Sequence, residues 1–90
     1  MALLDLLGRR WTLRVLWELR EDAESFRDLQ ARCGNISSSV LNQRLLELRE
    51  AGIVTAEKSG GYGLTSEGRK LLRALEPLDA WAKRWAARTR

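Results

Sequence analysis

Three serines, Ser37, Ser38 and Ser39, followed by Asn42 and Gln43, form the densest run of side chains in this 90-residue sequence that can do specific chemistry. That chemistry is hydrogen bonding, not catalysis. A carboxamide carries a donor and an acceptor side by side, the complement of adenine's major-groove edge, and a hydroxyl bonds either a base or a phosphate. Covalent chemistry has little to work with. The sequence has no histidine and one cysteine, Cys33. Zinc sites of paired Cys and His, Ser-His-Asp or Cys-His nucleophile systems and an intramolecular disulfide are therefore excluded. With no Gly-rich phosphate loop either, an enzyme is the poorest reading, and no cofactor or metal is implied.

The residues that must position this group read as a helix from Ser37 to Ala51, opened by the three serines and stopped by Gly52. At about 100° per residue, Leu41, Leu45 and Leu48 share one stripe, and Ser39, Asn42, Gln43 and Leu46 lie opposite. Leu46 can touch a thymine methyl, while Ser37 and Ser38 bring hydroxyls and free N–H groups to a phosphate. The competing reading is an ordinary solvated face. Arg44 and Arg49 flank it and can reach phosphates, although Arg49 is equally placed to pair with Glu47 or Glu50.

Upstream, residues 2–7 form a short apolar helix ended by Gly8. Trp11 to Leu19 follows, with Trp11, Val15 and Leu19 on a stripe widened by Leu16. A third helix runs from a Ser25 cap through Leu29 to the turn Cys33-Gly34-Asn35. Downstream, Ile53 to Glu57 alternates like a half-buried strand, Ser59-Gly60-Gly61 is a turn, and Tyr62 to Leu64 returns as one hairpin. Lys58 sits at its tip, either against DNA or simply in a tight turn. Thr65 or Ser66 caps a helix with Leu71, Leu72 and Leu75, and Pro77 either kinks it or begins a final helix. This order predicts one domain over residues 1–90, mainly α with a small β-hairpin, on the winged helix-turn-helix plan.

Sixteen Lys and Arg against twelve Asp and Glu leave a net charge of +4, which suits an acidic partner such as double-stranded DNA. Thirteen of the cations are Arg, the side chain that forks onto phosphates and guanine edges. The stretch 21–30 is acidic and the tail from Pro77 basic, so the former should face away from a polyanion.

A chain this short buries only about 60–65% of its unfolded surface, so help from a second subunit is expected. Leu71, Leu75, Leu78, Ala82 and Trp85 recur at spacings of four and three, with Trp81 beside them. The terminal helices, about 2–7 and 77–88, are the expected homodimer interface, through Leu3, Leu4, Leu7, Leu75, Leu78, Trp81 and Trp85. The alternative is that the two tryptophans fold back on residues 2–7 of their own chain. A two-fold dimer sets its reading helices about 34 Å apart and implies a palindromic operator. Trp81 and Trp85 can also line a pocket for a small flat aromatic effector. The start is too short and acidic for a signal peptide, and no apolar run approaches the length of about 18 residues that a membrane span needs, so a cytoplasmic location is expected.

The ordered series Gly8-Arg-Arg-Trp11-Thr-Leu13, Phe26-Arg-Asp-Leu29, Ile36-Ser37, Leu41-Asn-Gln-Arg-Leu45, Glu47-Leu48, Gly52-Ile-Val54, Tyr62-Gly-Leu-Thr65 and Glu67-Gly68 resembles the HxlR-type transcriptional regulators, dimeric winged-helix proteins related to the MarR group. The resemblance implies that residues 37–51 read the major groove, that the hairpin is the wing and that the terminal helices build the dimer. The function implied is a homodimeric repressor that occupies its operator. A winged-helix protein-interaction module without DNA binding is the alternative. Two departures stand out. Members usually carry a sensing cysteine in an N-terminal arm, which this chain starts too late to have, and the wing here is short, with Lys58 as its only cation. Cys33 lies instead in the turn before the reading helix, either inert or made reactive by Arg32.

Overall fold

Side-chain caps decide where three of the helices begin. In the computed structural model, which describes residues 2–89, the order is α1 (Ala2–Leu7), α2 (Thr12–Glu18), α3 (Phe26–Arg32), α4 (Ser38–Glu50), β1 (Val54–Ala56), β2 (Tyr62–Leu64) and α5 (Ser66–Arg88). Ser25 Oγ accepts from Asp28 N at 3.1 Å, Ser37 Oγ from Val40 N at 3.3 Å and Thr65 Oγ1 from Gly68 N at 3.0 Å. Each bond satisfies an N–H that the first helical turn leaves without a partner. Thr65, not Ser66, is the cap of α5.

The far end of α4 closes as a Schellman turn: Ile53 N donates to Leu48 O at 2.9 Å and Gly52 N to Arg49 O at 3.0 Å. This closure needs a left-handed residue, supplied by Gly52 at φ 76°. Ile53 and Leu48 then enter one core with Val15, Leu16, Leu19, Leu29, Cys33, Leu41, Leu45, Val54 and Leu64. The expected leucine stripe of α4 is thus the part of the helix that the core claims.

β1 and β2 pair antiparallel with Val54 opposite Leu64 and Ala56 opposite Tyr62. The single hairpin expected from sequence has a further edge. Glu24 and Tyr62 exchange both backbone hydrogen bonds, at 2.9 and 2.7 Å, so β2 is flanked on both sides. Gly61 permits this approach, since a Cβ there would meet Glu24 O at 2.8 Å. α5 is fastened to the end of α4 by the Thr65 hydroxyl, which lies 2.6 Å from Gly52 O and 3.1 Å from Ile53 O. A Cβ on Gly68 would run into Ile53 O, so only glycine fits there.

Three expectations are corrected. Pro77 does not begin a helix, the second of its two readings, because α5 is continuous from Ser66 to Arg88. Its missing N–H removes only the bond to the Arg73 carbonyl, at an exposed site where water can serve. Trp11 stands before α2 rather than in it, in a left-handed conformation at φ 79°, yet it still packs on the core that holds Val15 and Leu19. Leu7, expected at a dimer surface, is packed into its own chain's core.

α5 spans about 34 Å at 1.5 Å per residue and sets the 43 Å long axis. Leu71 and Leu72 pack on the core. Beyond Asp79 only Ala82 is even half-buried among the described residues. Trp81 and Trp85 do not lie on α1; they stand in solvent, 52% and 54% exposed. Their rings stack on each other, with centroids 5.9 Å apart. No described helix is long and apolar enough to cross a membrane.

Candidate nucleic-acid interface

The turn between α3 and α4 is held from inside. Gln30 Nε2 donates to Ile36 O at 2.8 Å and to Ser38 Oγ at 3.1 Å. Gly34 and Asn35, both at positive φ, reverse the chain. Arg14 Nη2 donates to the Arg32 carbonyl at 2.8 Å, closing the end of α3. Cys33 is fully buried inside this turn. Burial pushes its thiol up, Arg14 opposes that in part and Glu18 reinforces it. Arg32, the cation expected to activate it, is instead paired with Glu24 at 2.9 Å. A buried thiol held protonated is a poor nucleophile, which argues against a redox role.

With Leu41, Leu45 and Leu48 buried, Ser39, Asn42, Gln43 and Leu46 are left on the open face of α4, and Leu46 is 47% exposed. Ser37 and Ser38 lie at the helix start, their oxygens already accepting bonds that hold the turn. The Ser38 hydroxyl keeps its O–H for an outside acceptor, and Ser37 Oγ also lies 3.5 Å from Ser39 Oγ. Arg49 is exposed, and among the described residues it enters no ion pair with Glu47 or Glu50. Lys58 is exposed in the tight turn closed by Glu57 N to Gly61 O at 2.7 Å.

Arg44 is placed differently from the expectation. It turns inward, Nε donating to the Arg10 carbonyl at 2.7 Å and Nη1 to Glu47 Oε1 at 3.0 Å. A guanidinium held this way is not free to reach a phosphate. Glu47 also accepts from Arg9 Nη1 at 2.6 Å and Gln43 Nε2 at 3.0 Å. The Gln43 hydrogen bond first, then Arg44 and Arg9, hold its carboxyl below the usual carboxylate range against the opposing effect of burial. Sequence reasoning treats Glu47 only as a neighbour for Arg49 and passes over Gln30 and Arg9. The spacing of Gln43 and Arg44, four and three residues before Glu47, is the available signal.

Other exposed side chains are apolar. Leu3 and Leu4 of α1 and Leu78, Trp81 and Trp85 of α5 are exposed, and Leu75 is exposed less than they are, on the same side of α5 as a groove. That groove dips between α2 and α5 and is lined by Leu13, Trp17, Leu72, Leu75 and Leu78.

The profile of the HxlR-like helix-turn-helix family matches residues 6–90. The HTH-type transcriptional regulator YvaP of Bacillus subtilis is 30% identical over 87 residues, covering 90% of this chain and 81% of its own. The quinone-bound crystal structure of YodB from B. subtilis superposes with a TM-score of 0.85 at 29% identity, covering 92% of this chain and 93% of that one. A possible HxlR family transcriptional factor from Thermoplasma volcanium superposes with a TM-score of 0.82 at 26% identity, over 94% and 82% of the two chains.

Proposed function

Because this chain belongs to the HxlR-like helix-turn-helix family and so is a DNA-binding transcription regulator with a winged helix-turn-helix fold, we propose that it acts as a homodimeric repressor reading a palindromic operator with α4. The observation that carries this reading is the division of α4 into a buried leucine stripe and an open face bearing Ser39, Asn42, Gln43 and Leu46. Asn42 and Gln43 bond base edges, Leu46 meets a thymine methyl, and Ser37, Ser38, Ser39 and Arg49 bond phosphates or base edges. Lys58 gives the short wing one cation for the backbone. Arg44 serves from inside, by fixing α4 on the turn before α2.

The homodimer forms through Leu3, Leu4, Leu75, Leu78, Trp81 and Trp85. Support comes from how much of this apolar surface a single chain leaves in water; monomers rarely expose such patches without a use. These positions are those expected of the terminal helices, with residues 77–88 serving as the second half of α5. Occupying an operator in the cytoplasm excludes polymerase, hence repression. The quinone held by YodB and the stacked tryptophans together support a small aromatic effector. The test is to select bound duplexes from random DNA and size the protein alone. The expected result is a two-fold symmetric site and a dimer. Failure to bind any duplex even at low salt, where nonspecific phosphate contacts are strongest, would favour a protein-interaction module using exposed Leu46.

A further inference from the structure

Glu47 is a side chain of α4 that gathers partners from both α4 and the turn before α2. Its Oε2 accepts from Gln43 Nε2 at 3.0 Å and from Arg9 Nη1 at 2.6 Å. Its Oε1 accepts from Arg44 Nη1 at 3.0 Å, while Arg44 Nε is anchored on the Arg10 carbonyl at 2.7 Å. The carboxylate is mostly covered, with 12% of its side chain exposed. It is therefore a fixed post rather than a swinging surface group.

A carboxylate offers only acceptors, so the Gln43 carboxamide can face it only with its NH2 end. A free glutamine side chain has two amide orientations of similar energy, and Glu47 selects one. One Gln43 N–H is then committed, and what remains is one N–H beside one carbonyl oxygen. That pair complements adenine, which presents an acceptor N7 and a donor N6 amino group. Guanine presents two acceptors, N7 and O6. An unrestrained glutamine satisfies them by turning both N–H hydrogens of its NH2 group to the base. A restrained one lacks the second N–H and aims its oxygen at O6. We infer that Glu47 is a positioning residue for base selection, fixing the Gln43 amide so that α4 prefers adenine over guanine at the base pair that Gln43 meets.

This inference rests on the reading of α4 as the DNA-contacting helix. Arg9 and Arg44 also place two guanidinium groups around one carboxylate, so Glu47 does not add a net negative charge to a face that must approach phosphates.

The experiment measures affinity for operator duplexes carrying each base pair at the position whose preference disappears in Gln43→Ala, using wild type, Glu47→Ala, Glu47→Gln and the double variant Gln43→Ala with Glu47→Ala, at several salt concentrations. A good bidentate contact discriminates by about tenfold or more, so the wild type should favour adenine over guanine by that order. Glu47→Ala should shrink the ratio several-fold while leaving the base preferences at the other positions alone, and Glu47→Gln should shrink it less. The double variant should behave as Gln43→Ala does. A Glu47→Ala protein that weakens on all four base pairs alike, or keeps the wild-type ratio, overturns the inference. Should the alanine variant not fold, either of those outcomes in Glu47→Gln overturns it equally. If Gln43→Ala changes no base preference anywhere, the reading of α4 falls and this inference with it.

Discussion

Leu41, Leu45 and Leu48 on α4 and Leu75, Leu78, Trp81 and Trp85 toward the end of α5 are both helical apolar stripes, yet they end in opposite places. The first is sealed in the core, with Leu48 fully buried, whereas Trp81 and Trp85 stay more than half exposed. The stripe of α4 is surrounded by α2, α3, the turn and the hairpin. The end of α5 runs past the body, and among the described residues beyond Asp79 only Ala82 is even half-buried. The same pattern thus serves the fold within a protomer in one case and, in the proposed reading, association between protomers in the other. The polar faces differ in parallel: α4 carries amides and hydroxyls, with the Gln43 amide held by Glu47, while the outer α5 carries scattered Lys and Arg.

Alanine substitutions separate the two stripes most widely. Leu48→Ala should cost about 2–5 kcal/mol of protomer stability, read by chemical denaturation. Trp81→Ala with Trp85→Ala should leave the protomer folded and convert the dimer to monomer in a sedimentation run, since buried tryptophans at interfaces are worth about 2 kcal/mol or more each. If the double variant unfolds instead, the outer α5 belongs to the core after all. The wild-type melting temperature should also rise with protein concentration. Gly68→Ala comes next, at about 1–3 kcal/mol, because its methyl would press on the fixed Ile53 carbonyl that joins α4 to α5. Removing the Ser37 hydroxyl from the start of α4 should cost about 1 kcal/mol, in a thermal melt. The smallest effect concerns pH. The folded carboxyl of Glu47 is held below its unfolded value, so its contribution is present above the ordinary carboxylate range and is lost as pH falls through it. The stability gap between wild type and Glu47→Gln should accordingly narrow on acidification below about pH 4.

What is legible in the sequence is local. Ser25 as a cap, the serines that open α4, Gly52 as a stop and the leucine spacing of α4 each act within a few residues, and each reappears in the structure, with Ser37 as the cap rather than the first helical residue. What escapes depends on residues brought together by folding. The Glu24 bridge to Tyr62 joins segments distant in the chain through backbone atoms alone, leaving no side-chain signature. Arg44 looks free because its neighbours in sequence are Gln43 and Leu45, and only the fold brings it the Arg10 carbonyl. Pro77 reads as a boundary because proline disfavours helix interiors, but the exposed flank of α5 tolerates one lost bond.

The central claim is that the open face of α4 reads bases. It is tested most directly by comparing Asn42→Ala with wild type on the selected operator and on random duplex at one stated salt concentration. The expected loss is about 1–3 kcal/mol on the operator and almost none on random DNA. Equal losses on both, or none on either, would contradict it.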